Sequence, residues 1–141
     1  RRITRQGLES CAASVLPLGS VLFSSRAPIG HTAICAAPMA TNQGFKSFMP
    51  RANVLEPHFL LFWLRLRRSF LEDLGTGATF KEVSKAVVAR VDLCLPPFDL
   101  QLQFSQRVVA IEHVRSRQST ARKQLDGLFA SLQHRAFRGD L

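Results

Sequence analysis

The sequence predicts an α+β fold: a small mixed sheet with packed helices, followed by a long carboxyl-terminal helix of the coiled-coil-forming kind. Three observations carry this expectation. Short β-type runs separated by turn residues fill the first fifty positions, an apolar pattern of helical period follows Pro57, and no proline occurs after Pro97. With 141 residues, 46% of them hydrophobic and 21% charged, the chain can bury one core without a disulfide framework or a structural metal.

Each element has its own signal. Residues 20–24, Ser-Val-Leu-Phe-Ser, lie between Pro17/Gly19 and Pro28/Gly30 and read as a strand between turns. His31 to Cys35 reads as a second strand, and Gly44 to Met49, ahead of Pro50, as a third. Pro57 suits the first position of a helix, where its missing N–H is not needed. Phe59, Leu60, Phe62, Trp63, Leu66, Phe70 and Leu71 then recur with helical spacing until Gly75. Arg65, Arg67 and Arg68 fall off that stripe, towards solvent or a phosphate. A glycine-rich turn from Gly75 to Thr79 comes next, with Thr79 and Glu82 at capping-box spacing ahead of a short helix around Ser84 to Ala89. Val91, Leu93 and Leu95 alternate with Asp92 and Cys94 as a final strand, stopped by Pro96 and Pro97.

Beyond Phe98 the pattern changes. Phe104, Ile111, Val114, Ala121, Leu125, Leu128 and Leu132 follow heptad spacing, and Gln118 occupies a seam position where a buried amide would fix register. A helix from Phe104 to Arg135 would extend about 48 Å, more than a small domain can cover, so part of its stripe requires a partner. The expected boundary therefore falls near Pro97, with residues 1–97 as one domain and 98–141 as the helix.

Charge narrows the function. Nineteen Lys and Arg against ten Asp and Glu give a net charge of +9, and fifteen of the nineteen cations are arginines, whose planar fork suits phosphate and guanine edges. A polyanion, nucleic acid before membrane, is the expected partner. The longest strongly apolar run, Phe59 to Leu64, is far short of the ~20 residues that span a bilayer. No export signal is read at the amino terminus. Cys11, Cys35 and Cys94 are too few and too scattered for a zinc cluster and odd in number for a disulfide framework, so a reducing cytoplasm is expected.

Catalytic and cofactor signatures are not found. Gly75 and Gly77 lack the spacing and the Lys-Ser/Thr of a phosphate loop, and His31, His58, His113 and His134 have no metal-ligand spacing. Adjacent Glu72 and Asp73 point to different sides of a helix and make a poor acid and base pair. No enzyme centre, metal or cofactor is therefore expected. What remains are loops of small hydrogen-bonding groups beside cations: Ser24-Ser25-Arg26, Thr41-Asn42-Gln43-Gly44 and Thr76 to Lys81. Arg can fork onto guanine, Asn and Gln onto adenine, while Ser, Thr and backbone amides hold phosphates. The same residue types also dominate ordinary turns.

Taken in order, these strings resemble the specificity subunit of type I restriction-modification enzymes: the later part of a target recognition domain followed by its helical spacer. The blocks are Ile3-Thr4 with Gly7-Leu8, LPLGSVLFSSRAPIG from Leu16 to Gly30, TNQGFKSF from Thr41 to Phe48, the Phe59 to Leu64 helix, GTGATFKEVSK from Gly75 to Lys85, LPP from Leu95, QRVVAIE from Gln106, and LFASLQHRAFRGDL from Leu128. None is specific alone; their order across nearly the whole chain carries the resemblance.

The resemblance implies a non-catalytic, cytoplasmic protein of bacterial defence that binds one half of a bipartite double-stranded DNA site. It implies DNA proximity for Ser25, Arg26, Asn42, Gln43, Thr76, Gly77, Thr79 and Lys81. It also implies that Ile111, Val114, Gln118, Ala121, Leu125, Leu128 and Leu132 face other subunits: methyltransferase (modification) subunits, the restriction subunit through the complex, or a second specificity chain or half-subunit. Family members usually carry two recognition domains joined by two antiparallel spacers, whereas one partial domain and one spacer are read here. Two alternatives stay open on the sequence: a truncated or vestigial helical adaptor that oligomerises without specific DNA binding, and a binder of nucleic acid without sequence preference.

Overall fold

The computed structural model describes residues 3–77 and 81–140, which form two compact units, Arg1–Gln103 and Phe104–Leu141. In the first unit, α1 (Arg5–Glu9) precedes the strands β1 (Val21–Ser24), β2 (Thr32–Ile34) and β3 (Phe45–Phe48). The helices α2 (Pro57–Leu66), α3 (Arg68–Asp73) and α4 (Lys85–Val88) follow. The sheet has the order β2-β1-β3 and is antiparallel throughout, with Val21 opposite both Ile34 and Phe48. The central strand is buried along its whole length. Val21 and Phe23 send their side chains into a core closed by Ile29, Leu60, Leu61, Leu64, Leu71 and Val83. Leu22, on the opposite face of the strand, packs with Leu16 and Cys35.

The strands expected at residues 20–24, 31–35 and 44–49 are present. Pro57 opens α2 at its first position, and Glu56 caps it by accepting the Phe59 N–H at 2.8 Å. The helical stretch is not one helix, however. It breaks at Arg67, and the side chains that go inward are Leu60, Leu61, Leu64 and Leu71, whereas Leu66 is 84% exposed and Phe70 47%. The inward face of α2 runs through Leu60, Leu61 and Leu64, which leaves Leu66 outside it, and α3 turns Leu71 inward and Phe70 towards water.

Thr4 accepts the Gly7 N–H at 3.1 Å and caps α1. Two local expectations are corrected. Glu82 does not work as part of a helix cap: α4 is capped by Ser84, which accepts the Val87 N–H at 3.2 Å, while Glu82 is bonded to cations elsewhere; Thr79 lies outside the described residues. Val91 to Leu95 forms no strand. Val91 and Leu93 pack against the core while Asp92, Cys94 and Leu95 are exposed, so the alternation records one-sided burial without a neighbouring strand to complete a ladder.

The final helix, α5, runs Phe98–Arg138, 41 residues or about 60 Å at the standard rise. Its first turns belong to the first unit and are fixed there by Gln101, which is 1% exposed. That amide donates to the Val54 and Pro96 carbonyls at 3.1 and 2.9 Å and accepts the Glu56 N–H at 3.0 Å. Full satisfaction of a buried amide by three backbone groups makes it a lock that no apolar residue of similar size could replace.

Candidate nucleic-acid interface

Three loops that the sequence separates widely are tied into one surface by backbone bonds. Ser25 leaves the end of β1, and its N–H donates to the Gly44 carbonyl at 2.8 Å. Its own carbonyl accepts the Val83 N–H at 2.9 Å. Thr76 and Glu82 exchange two backbone hydrogen bonds of 3.0 and 2.9 Å, which close the 76–82 loop at its base. Arg26 pairs with Glu82 in an isolated bridge. The segments around residues 25, 43 and 76–82 therefore share one framework.

Glu82 joins them electrostatically. Its carboxylate accepts from Arg26 Nε at 3.0 Å and from Lys46 Nζ at 3.3 Å, so one acid holds a cation from the first loop and another from β3. The Arg26 hydrogen bond, helped by Lys46 and opposed by partial burial, lowers the Glu82 pKa from its ordinary value. Two cations on one anion leave the surface net positive and fix where Arg26 stands.

The expected contact residues divide by role. Ser25 is fully buried, and its hydroxyl donates to the Gly44 carbonyl at 3.1 Å, so it is used inside the protein as a brace between two loops. Asn42 is exposed but turns its Oδ1 inward to accept the Gly44 N–H at 3.0 Å, shaping its own turn. Arg26, Gln43, Thr76, Gly77 and Lys81 are exposed, and Gly77 has φ of +128°, a backbone state that other residues rarely adopt. Thr79 is outside the described residues. Asn42 and Gln43 also border a groove of about 830 Å³ formed with Ile3, Cys11, Leu16, Ser47 and Met49. Sequence reasoning missed Glu82 and Lys46; an acid beside a run of cationic loops was the available signal, but its capping-box spacing suggested a different use.

The expected seam of α5 is solvent-facing. Ile111, Val114, Leu125 and Leu128 are between 52% and 66% exposed, Leu132 is 42% exposed, and Gln118 and Ala121 between them are exposed as well. Among the described residues no group of three or more His, Cys, Asp or Glu could hold a metal ion, and no helix is long and apolar enough to cross a membrane. Cys11 and Cys94 are exposed free thiols; Cys35 is a buried one whose pKa burial raises.

The chain thus combines a small antiparallel sheet, a polar loop surface with Arg26 and Lys46 on Glu82, and a long helix that follows in sequence. Residues 2–112 match the family described as type I restriction modification DNA specificity domain, and the chain belongs to that family. It is 34% identical over 97 residues to the type I restriction enzyme MjaIX specificity subunit of Methanocaldococcus jannaschii, a match covering 68% of this chain and 22% of that protein. The fold is similar to the crystal structure of the HsdS subunit from Thermoanaerobacter tengcongensis, with a TM-score of 0.62 and 27% identity over 90% of this chain and 31% of that one. It is also similar to a chain from a structural study of complex assembly and conformational transition in a type I R-M system. There the TM-score is 0.58 and identity 28%, over 94% of this chain and 34% of that one. The chain thus spans about a fifth to a third of the length of these relatives.

Proposed function

We propose that this chain supplies DNA sequence recognition for a type I restriction-modification system, reading one half of a bipartite duplex site. The observation that carries the reading is the Glu82-centred union of three loops, which holds Arg26 in place and leaves Gln43, Thr76, Gly77 and Lys81 exposed on the same framework. In this reading Arg26 and Gln43 face base edges, and Lys81, Thr76 and the Gly77 backbone face phosphates. Thr79, which lies outside the described residues, is assigned to DNA contact by the family resemblance alone. Ser25 and Asn42 contribute by holding the loops in register. The chain itself performs no catalysis; methylation and cleavage belong to other subunits.

The exposed seam of α5, in the segment 98–141, is the proposed assembly surface for modification subunits, with the restriction subunit joining through that complex. Ile111, Val114, Leu125, Leu128 and Leu132 provide its apolar positions, and Gln118 and Ala121 its small or polar middle. Arg115, Arg117 and Arg122 flank that middle at heptad positions beside the seam. Two copies paired through it would bring like charges together, so a partner helix with acidic flanks fits better than a second copy of this chain. A cytoplasmic setting accords with three free thiols.

The reading is tested by supplying the chain with modification subunits and mapping adenine or cytosine methylation on a plasmid of known sequence. Methylation at one bipartite motif, shifted or relaxed by Gln43→Ala, is the expected result. Methylation that is absent with a correctly assembled complex would overturn it.

A further inference from the structure

Outside the three-loop surface a second group of cations has a defined architecture. Arg65, near the end of α2, and Arg68, at the start of α3, line a concavity of about 290 Å³ together with Gly30, His31 and Thr32. Both arginines are oriented by the protein. Arg65 Nε donates to Thr32 Oγ1 at 3.0 Å, and its guanidinium carbon stands 5.0 Å from the Phe62 ring centroid. A hydrogen bond and a stacking surface hold that head in one direction while its terminal N–H groups remain available. Arg68 lies across Gly30: a Cβ at residue 30 would stand 2.4 Å from Arg68 Cγ and 2.9 Å from Cδ, and φ there is +95°. Only a glycine allows this approach.

Among the described residues no ion pair neutralises these cations. The ion pairs among the described residues use Arg5, Arg26, Lys46 and His58, and none reaches Arg65 or Arg68. Two adjacent guanidinium groups repel one another, and their repulsion is relieved by an anion between them. The hydroxyl of Thr32 and the ring of His31 add hydrogen-bonding groups at the rim. The concavity is also joined to the recognition surface. Ser24 Oγ accepts the His31 N–H and donates to the Pro28 carbonyl, both at 2.8 Å, and the Gly30 N–H donates to the Ser24 carbonyl at 3.0 Å. Arg26 and His31 therefore leave opposite ends of a single closed loop.

We infer that Arg65, Arg68, His31 and Thr32 form a site for a phosphodiester group of duplex DNA, a backbone anchor one loop away from the base-reading surface. This rests on the DNA-recognition reading above. The anchor fixes register and orientation of the duplex and carries no sequence information of its own.

The test measures binding of the full chain to a pool of random-sequence duplexes over a series of KCl concentrations. For Arg65→Gln and for Arg68→Gln the slope of log K against log[KCl] should fall by about 1 relative to the parent. Arg67→Gln removes the same charge from the neighbouring position, whose side chain borders a different cavity with Trp63, Phe70 and Val87, and should change the slope less. The Arg65→Lys, Arg68→Lys double variant keeps the charge and should keep the slope, which guards against a folding defect. Sequence preference, read by selection from the same pool, should be unaltered in the Gln variants. Equal slope losses for Arg65→Gln and Arg67→Gln would overturn the anchor and leave only net charge. An unchanged slope with normal parental binding would overturn it while leaving the recognition reading intact. A parent chain with no salt-dependent affinity for duplex would remove both.

Discussion

The sheet-bearing unit and the helical unit use the same residue types for opposite purposes. In the first, Val21, Phe23, Leu64 and Leu71 are at most 2% exposed and close on one another across strand and helix. In the second, Ile111, Leu125, Leu128 and Phe129 are 58–67% exposed along a single element. Burying a side chain such as Leu or Phe is worth about 1.5 to 3 kcal/mol, so the first unit contains the means of its own folding. The second gains nothing comparable from its own contacts, and its heptad spacing stabilises only when another surface covers it. The same kind of apolar pattern thus closes a core in one region and stays exposed in the other, and the surrounding topology decides which.

The comparison is broken most forcefully by a core deletion. Phe23→Ala empties the centre of the sheet and should cost about 3 to 5 kcal/mol, seen as a lower midpoint in chemical denaturation. The corresponding change in the helix, Leu128→Ala, should leave the midpoint of the isolated chain within about 0.5 kcal/mol, because the side chain is exposed. Trp63→Ala falls between them, since Trp63 is only partly buried against the core. A large loss at Leu128 would mean that the helix is already partnered.

At the proposed DNA interface, Arg26→Ala and Gln43→Ala should weaken binding to a selected duplex by about 1 to 3 kcal/mol each while the melting temperature barely moves. A drop of many degrees instead would make these residues part of the fold. The smallest expected effect is the pH response of Glu82. Its pKa is lowered in the folded protein, so its contribution is fully present above the ordinary carboxylate pKa and is lost as pH falls through the lowered value. Melting curves of the parent chain should therefore lose stability below the ordinary Glu range more steeply than those of Glu82→Gln. Superimposable acid limbs would show that the Arg26–Glu82–Lys46 cluster holds nothing together.

What the sequence made legible follows from how local each feature is. The strands bounded by Pro17, Gly19, Pro28 and Gly30, the helix opened by Pro57, the short helix near Lys85 and the long helix after Pro97 rest on punctuation and period, which act within a few residues. Features set by distant neighbours were hidden. The break at Arg67 and the exposure of Leu66 and Phe70 depend on what α2 and α3 pack against, and the alternation of Val91 to Leu95 looked like a strand although no ladder adjoins it. The loops of the candidate interface were recognisable by residue type, but their union was not. Only the fold shows that Ser25 is an internal brace and that Glu82 belongs with Arg26, 56 positions earlier in the chain, not with a helix cap. The cap of α1 at Thr4 was local and could have been read; the absence of an apolar period over so short a helix concealed it.

The proposed division between a recognition unit that folds on its own core and a helix that docks a partner is tested most directly by size-exclusion chromatography with light scattering. The chain and its Leu125→Asp variant would each be mixed with the modification subunit from the same source. The account predicts a stable complex for the parent and none for the variant, with both chains alone keeping the same melting temperature and duplex affinity. A complex that survives Leu125→Asp would contradict it, and the exposed seam would then have some purpose other than assembly.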